Sequence, residues 1–342
     1  MINRNVTDAL RLASKLTPAR IRNAQQMLWS YYAARRTGQP QPKGLPISLA
    51  IEPTTACNLR CPECPSGLRN FTRPTGHLAP ELFKQTLDEL ADTLLYLTFY
   101  FQGEPYLHPQ LLELVDYAAQ KGVYTATSTN GHYLDDARAE ATVRSGLDRL
   151  IISIDGTSQE VYEQYRVGGQ LEKALDGARR VVAWKKKLRK KSPYVVFQFL
   201  VVRPNEDQIP EVKRLASQIG VDAVALKTAQ LYDYEQGNPL MPTQDRYSRY
   251  AKQPDGTYRI KNIMASHCWK MWQSCVITWD GQVVPCCFDK DAQHAMGSLQ
   301  THRFRDIWLQ DNYQQFRASI LRSRSEIEMC KNCSEGTRVW AG

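Results

Sequence analysis

Three cysteines within eight residues, Cys57-Asn-Leu-Arg-Cys61-Pro-Glu-Cys64, stand directly after an apolar run at 47–52 and constrain this chain more than any other feature. A loop that short turns three thiols onto one small group, and no histidine or fourth cysteine follows within the next dozen residues. Structural zinc wants four ligands, and so does a [4Fe–4S] cluster. The missing ligand points to an iron left open for an exogenous molecule, with zinc or buried thiols as the alternative. Six more cysteines (Cys268, Cys275, Cys286, Cys287, Cys330 and Cys333) lie near the other end, so two separate sites are expected. Disulfides explain neither group, because the N-terminal residues show no secretion signal and reducing compartments keep thiols free.

From Ile47 onward, short β-rich runs alternate with longer helical ones, the pattern of β/α units around a parallel sheet. Strands are expected at 47–52, 95–101, 123–128, 149–154, 194–202 and 222–227, with helices at 80–91, 109–120, 135–145, 171–188 and 208–219. About six repeats are fewer than the eight of a closed barrel. The stretch 232–262 is polar and rich in Gly and Pro, and reads as a linker. Beyond it a β-hairpin around Asp280-Gly281 and a helix at 303–323 are expected. The division is therefore 1–46, a basic amphipathic extension; 47–231, the β/α unit; 232–262, the linker; and 263–342, a cysteine-bearing domain.

Polar segments follow three of the expected strands: Phe101-Gln102-Gly103-Glu104-Pro105, Ser128-Thr129-Asn130-Gly131 and Ile152-Ser153-Ile154-Asp155-Gly156. The carboxyl ends of β/α strands are where such folds build their sites. Together with the three-cysteine loop, these segments resemble the radical SAM superfamily over roughly 47–228. The resemblance implies a partial (β/α)6 barrel whose cluster, held by Cys57, Cys61 and Cys64, is chelated at its open iron by S-adenosylmethionine. An electron from the cluster would then break the sulfonium C–S bond and generate a 5′-deoxyadenosyl radical. Gly103 and Glu104 match a Gly-Gly-Glu-Pro element that holds the methionyl amine, although Gln102 replaces its first glycine. Ser128, Asn130, Ser153 and Asp155 match segments around the ribose and methionine. Arg166 resembles an arginine that pairs with the methionine carboxylate.

The second cysteine group, with Trp279-Asp280-Gly281, Gly297-Ser298-Leu299 and Ile307-Trp308, resembles the SPASM/twitch appendage of the same superfamily. One Cys-x2-Cys, Cys330 to Cys333, favours the twitch form, a small β-hairpin and helix domain with a single auxiliary [4Fe–4S] cluster on Cys268, Cys286, Cys330 and Cys333. Zinc on the same thiolates is the alternative, and Cys275 could replace Cys268 as first ligand. Cys275 and Cys287 are left over. Both read as packed thiols, with Cys275 the better candidate for a hydrogen-atom donor to a substrate radical.

The formal charge of +9 concentrates in residues 1–46, where eight Lys or Arg face the lone Asp8. Apolar residues among them suggest amphipathic helices that pack across the barrel bottom, with peripheral membrane contact as the alternative. The basic run 185–191 reads as a solvated helix end, not a nucleic-acid patch, because no aromatic residues alternate with its charges. With 42% hydrophobic residues and no span of roughly 18 apolar ones, the chain reads as a soluble cytoplasmic protein. The leading expectation is an oxidoreductase or epimerase abstracting hydrogen from a small molecule of sugar type, served by a flavodoxin- or ferredoxin-type reductant. A maturase of a ribosomal peptide or protein is the alternative, and a non-catalytic iron–sulfur or zinc scaffold the third reading.

Overall fold

The computed structural model describes residues 4–262 and 264–339. Two helices come first, α1 (Arg4–Ala13) and α2 (Pro18–Thr37). The hydroxyl of Thr17 accepts from the Arg20 amide at the start of α2, and Gly38 in the left-handed region closes its end. Strand β1 (Ser48–Ile51) leads through the cysteine loop and the single-turn α3 (Pro65–Leu68) into α4 (Pro80–Leu90). Then follow β2 (Tyr96–Thr98), α5 (Leu111–Gln120), β3 (Tyr124–Thr129), α6 (Asp136–Arg144), β4 (Arg149–Ser153), α7 (Gln159–Tyr165), α8 (Leu171–Lys187), β5 (Tyr194–Val201), α9 (Ile209–Ile219) and β6 (Ala223–Thr228).

The six strands lie side by side in chain order, every neighbouring pair parallel. This is the partial (β/α)6 barrel. Strands covered on both faces need near-continuous apolar runs, and Leu49, Leu97, Leu150, Ile152, Phe197 and Phe199 are all buried. In α5 the buried Leu111, Leu114, Val115 and Ala118 recur at helical spacing, so one face meets the sheet and the other meets water. Lys185, Lys186 and Lys187 close the last turn of α8, where cations complement unpaired carbonyls.

Strand β2 is shorter than the apolar run 95–101. The chain leaves the ladder after Thr98 and carries Gln102–Pro105 into the site. The stretch 232–262, expected to be linker, holds a small antiparallel hairpin of β7 (Tyr250–Lys252) and β8 (Tyr258–Ile260), turned at Gly256 with φ +86°. Helix α10 (Lys270–Gln273) is followed by β9 (Ser274–Ile277), β10 (Gln282–Val284), β11 (Gly297–Ser298), α11 (Phe304–Leu309), α12 (Asp311–Ser323) and α13 (Glu328–Lys331). The hairpin of β9 and β10 forms around Asp280-Gly281 as expected. Strand β9 also pairs in parallel with β1, Leu49 opposite Cys275, so one nine-stranded sheet runs from β11 to β6. The helix expected at 303–323 is two helices, because Gln310 is extended, with ψ 159°.

The first helices dock at the amino ends of the strands. Asp8 accepts from the Tyr124 hydroxyl at 2.5 Å and pairs with Arg149, while Arg11 and Lys15 reach Asp148 at 3.5 and 3.6 Å. The Arg20 guanidinium donates to the carbonyls of Lys15, Gly122, Ala91 and Lys121 at 2.6 to 3.2 Å. Those bonds tie α2 to two loops of the barrel bottom. Replacing Arg20 by Met keeps the stem and removes the donors. The expected cost is about 3 kcal/mol, the loss of several charge-assisted bonds, read as a lower denaturant midpoint. An unchanged midpoint would show that α2 is held by its apolar face alone.

Candidate functional site

The loop after β1 carries all three cysteines to the carboxyl end of the sheet. Pro65 starts α3 immediately after Cys64, and Gly67 packs so closely on the loop that a Cβ there would lie 2.4 Å from the Cys61 backbone nitrogen and oxygen. The Arg60 amide donates to Val167 O at 3.0 Å, which ties the loop to the chain after α7. Cys57, Cys61 and Cys64 line one cleft of about 250 Å³ together with Gly103, Glu104, Ser128, Asn130, Ser153 and Arg166. Of the expected cofactor residues near this loop, Asp155 is the one that does not line it.

Burial pushes the Cys57 thiol up to about 12, opposed by a hydrogen bond from the Leu59 amide. Burial also raises Cys61, opposed by the Arg166 guanidinium, whose Nη1 lies 3.9 Å from Cys61 Sγ. Buried thiols of this kind ionise when a metal replaces the proton. N–H donors and a cation aimed at sulfur suit the bridging and terminal sulfur charge of an iron–sulfur cluster. The donor set therefore fits a cluster with three protein ligands and one open iron.

Glu104 is 2% exposed. Its Oε1 accepts from Thr129 Oγ1 at 2.7 Å and from the Tyr106 amide at 3.2 Å, and its Oε2 from the Asn130 amide at 2.8 Å. Burial raises its carboxyl above the usual range, and these donors oppose the shift. A carboxylate so desolvated is an acceptor for a buried ammonium. Gly103 makes the approach possible: at φ +75°, a Cβ would stand 2.2 Å from Thr54 O. Gln102, where the family pattern has glycine, turns its side chain to Ser66 and Cys64, at 3.4 and 4.0 Å. Asn130 Nδ2 donates to Asn58 Oδ1 at 2.8 Å, linking the third strand's end to the cysteine loop.

Asp155 sits behind the cleft. Its Oδ2 accepts from Arg166 Nε at 2.5 Å and its Oδ1 from the Leu200 amide at 2.7 Å, so it aims the guanidinium and holds β5. Asn205, fully buried, donates to Asp155 O and Leu200 O, both at 2.9 Å. Tyr100, Thr129, Tyr165 and Gln198 also line the cleft and were not anticipated. Gln198 had a readable signal, since it faces Ser153 across the β4–β5 ladder and interrupts an apolar run.

In the second group, Cys268, Cys330 and Cys333 are buried around Arg324, itself 1% exposed. Arg324 Nη2 donates to Cys333 Sγ at 3.0 Å and Glu335 O at 2.7 Å, and Nη1 to His267 O at 3.4 Å. A buried guanidinium met by sulfur and carbonyls is offset once those sulfurs are metal-bound thiolates, so this donor set also fits a cluster. Half-buried Cys286 ends the β9–β10 hairpin and is near enough to feel Cys268. Cys275 faces elsewhere. It is 2% exposed in β9, beside Arg317 and Tyr313 and outside the cleft lining, a placement that suits the packed thiol it reads as and not the alternative role of hydrogen-atom donor. Cys287 is exposed.

Glu104→Gln, Arg166→Met and Asp155→Asn each remove one charge while keeping side-chain size. Each is expected to raise the Kd for S-adenosylmethionine by at least about tenfold, the worth of one charge-assisted bond, with iron content after reconstitution unchanged. Anaerobic equilibrium dialysis measures it, and wild-type affinity in all three would overturn the assignment.

The geometry agrees with the relatives found by comparison. A model of the radical SAM superfamily matches residues 51–216, and a model of an iron–sulfur cluster-binding domain, SPASM, matches 268–334. PqqA peptide cyclase of Gluconobacter oxydans is 27% identical over 316 residues, 87% of this chain and 85% of that protein. A tungsten-containing aldehyde ferredoxin oxidoreductase cofactor-modifying protein of Pyrococcus furiosus is 25% identical, covering 84% of this chain and 86% of its own length. In fold, SuiB of Streptococcus suis bound to S-adenosylmethionine superposes with a TM-score of 0.64 at 13% identity, over 90% of this chain and 76% of that one. The chain belongs to the radical SAM superfamily and carries a SPASM domain, so that S-adenosylmethionine, a radical SAM [4Fe–4S] cluster and auxiliary iron–sulfur binding are its cofactor complement.

Proposed function

We propose that this enzyme modifies a peptide or a protein segment, abstracting a hydrogen atom from one of its carbons. The observation that carries this reading is a second, larger groove of about 580 Å³ between the cysteine loop and the C-terminal segments. It runs from Pro65, next to Cys64, past Tyr232 and Phe288 to Asn332, between Cys330 and Cys333. One wall is fixed by Glu52, fully buried, which accepts from Nη1 and Nη2 of Arg73, both at 2.6 Å, while Arg73 also donates to Lys290 O. Aromatic rings interleaved with Lys290, Asp291, Glu328 and Lys331 suit an extended polypeptide, whose side chains alternate in character along the groove. The peptide named in the PqqA cyclase relative points the same way. The sugar-type small molecule expected from sequence gives way to this alternative.

When bound, the cluster and S-adenosylmethionine supply a 5′-deoxyadenosyl radical. The chain's own part is positioning: Glu104 holds the methionyl ammonium, Arg166 the carboxylate under the aim of Asp155, and Ser128, Asn130 and Ser153 the remaining polar edge. Glu104 follows β2 and Arg166 caps the end of α7, so the cofactor is gripped from two sides. Cys268, Cys286, Cys330 and Cys333 would hold an auxiliary cluster, which would supply an acceptor for the one electron left on the peptide radical; with the hydrogen atom gone to 5′-deoxyadenosine and a proton to solvent, the net change would be a two-electron oxidation of the peptide. A flavodoxin- or ferredoxin-type protein would serve as reductant.

Reduced, fully loaded enzyme should release 5′-deoxyadenosine faster with a peptide from a pool of candidate substrates than with sugars and nucleotide sugars, and the peptide should lose hydrogen by mass spectrometry. Tyr232→Ala, which removes a ring held by Lys290 Nζ at 3.0 Å, should raise KM for that peptide and leave substrate-free cofactor cleavage unchanged. Turnover of a sugar with no peptide response would contradict the proposal.

A further inference from the structure

Helix α1 is amphipathic, and it is docked the wrong way round for a core helix. Its polar face meets the protein: Asp8 is 5% exposed against Tyr124 and Arg149, and Arg11 and Lys15 reach Asp148. Its apolar face is turned away, with Leu10 60% and Leu16, in the turn after it, 45% exposed. A soluble helix ordinarily buries the apolar stripe and solvates the charges.

The apolar face borders an open groove of about 410 Å³. Leu12 and Leu16 form one wall, Ile21 and Leu28 of α2 the other, and Ile47 and Leu95 the floor. On α2 the same helical face continues past Leu28 to Trp29 and Tyr32, 60% and 50% exposed. Lys43 lies over the Trp29 ring at 4.5 Å and Arg35 over Tyr32 at 5.8 Å. Arg22 and Arg36 are exposed beside them. The one acidic residue of the first 46, Asp8, is spent inside the protein, so the rim presents positive charge.

We infer that this end of the barrel docks on an anionic lipid surface, with acyl chains filling the groove, Trp29 and Tyr32 at the headgroup level, and Arg22, Arg35, Arg36 and Lys43 on the phosphates. Cationic rim and dry groove match the two halves of such a surface. A helix partner or a second copy would answer the apolar groove and leave the unbalanced cations unanswered. Since α1 and α2 lie at the amino ends of the strands, the cofactor cleft at the carboxyl ends stays turned away from the bilayer.

The test is co-sedimentation of the full-length, cluster-loaded protein with phosphatidylcholine vesicles containing about 30% phosphatidylglycerol. Binding is expected at low salt and should weaken by at least about tenfold on pure phosphatidylcholine or at high salt. The exposed triple change Leu10→Ser, Leu16→Ser and Ile21→Ser should also cost about tenfold, with melting temperature and substrate-free cofactor cleavage unchanged. Absence of binding, or binding indifferent to the triple change, overturns the inference. So does a wild-type dimer in light scattering that the triple change makes monomeric, or displacement from vesicles by the substrate peptide.

Discussion

One buried carboxylate, Glu104, sets the spacing on which the site depends. Its amide donates to Ala56 O in the cysteine loop at 2.8 Å, and its side chain takes the Thr129 hydroxyl and the Asn130 amide at the end of β3. The loop and two strand ends are thereby fixed to one another through a single residue. The same carboxylate faces the cleft, desolvated and ready for a cation. The residue whose amide holds the loop thus also turns a desolvated acceptor toward the cleft, and a cation bound there would offset part of the cost of burying that charge.

On the opposite side of the cleft, Arg166 is held by Asp155, which in turn is held by the Leu200 amide and Asn205. That chain of contacts explains a divergence from the sequence reading. Asp155-Gly156 follows a strand like the other polar segments, so it read as part of the cofactor contact. Its side chain is taken up by Arg166 and the Leu200 amide, which themselves line the cleft, and such pairing with distant residues is not written in the motif. The six strands and their flanking helices were legible because apolar runs between turn residues carry their own period. The three-cysteine loop was legible because so short a spacing brings its thiols to one place, and the three do line one cleft.

What escaped the sequence were pairings between distant segments. Nothing local in Ser274–Ile277 says that it adds to the edge of β1, yet that pairing brings the SPASM cysteines onto the barrel and forms the groove between them. The two short strands inside 232–262 were hidden by their Gly and Pro turns. The orientation of α1 was hidden for a different reason: periodicity shows that a helix has two faces and is silent on which one the protein takes. Asp8 and Arg11 on the helix, met by Arg149 and Asp148 some 140 residues further on, decide it. The substrate class we propose likewise rests on the groove between elements and on a relative, both outside the reach of a motif.

The central claim is that Cys57, Cys61 and Cys64 leave one iron open and that Glu104 and Arg166 present S-adenosylmethionine to it. Electron–nuclear double resonance of the reduced protein, mixed with cofactor labelled at its amine nitrogen and carboxylate oxygen, tests it most directly. Hyperfine coupling of both labels to the cluster spin is expected in the wild type and should be absent in Cys61→Ala. A reduced, intact cluster in the wild type whose spectrum is indifferent to both labels would contradict the account.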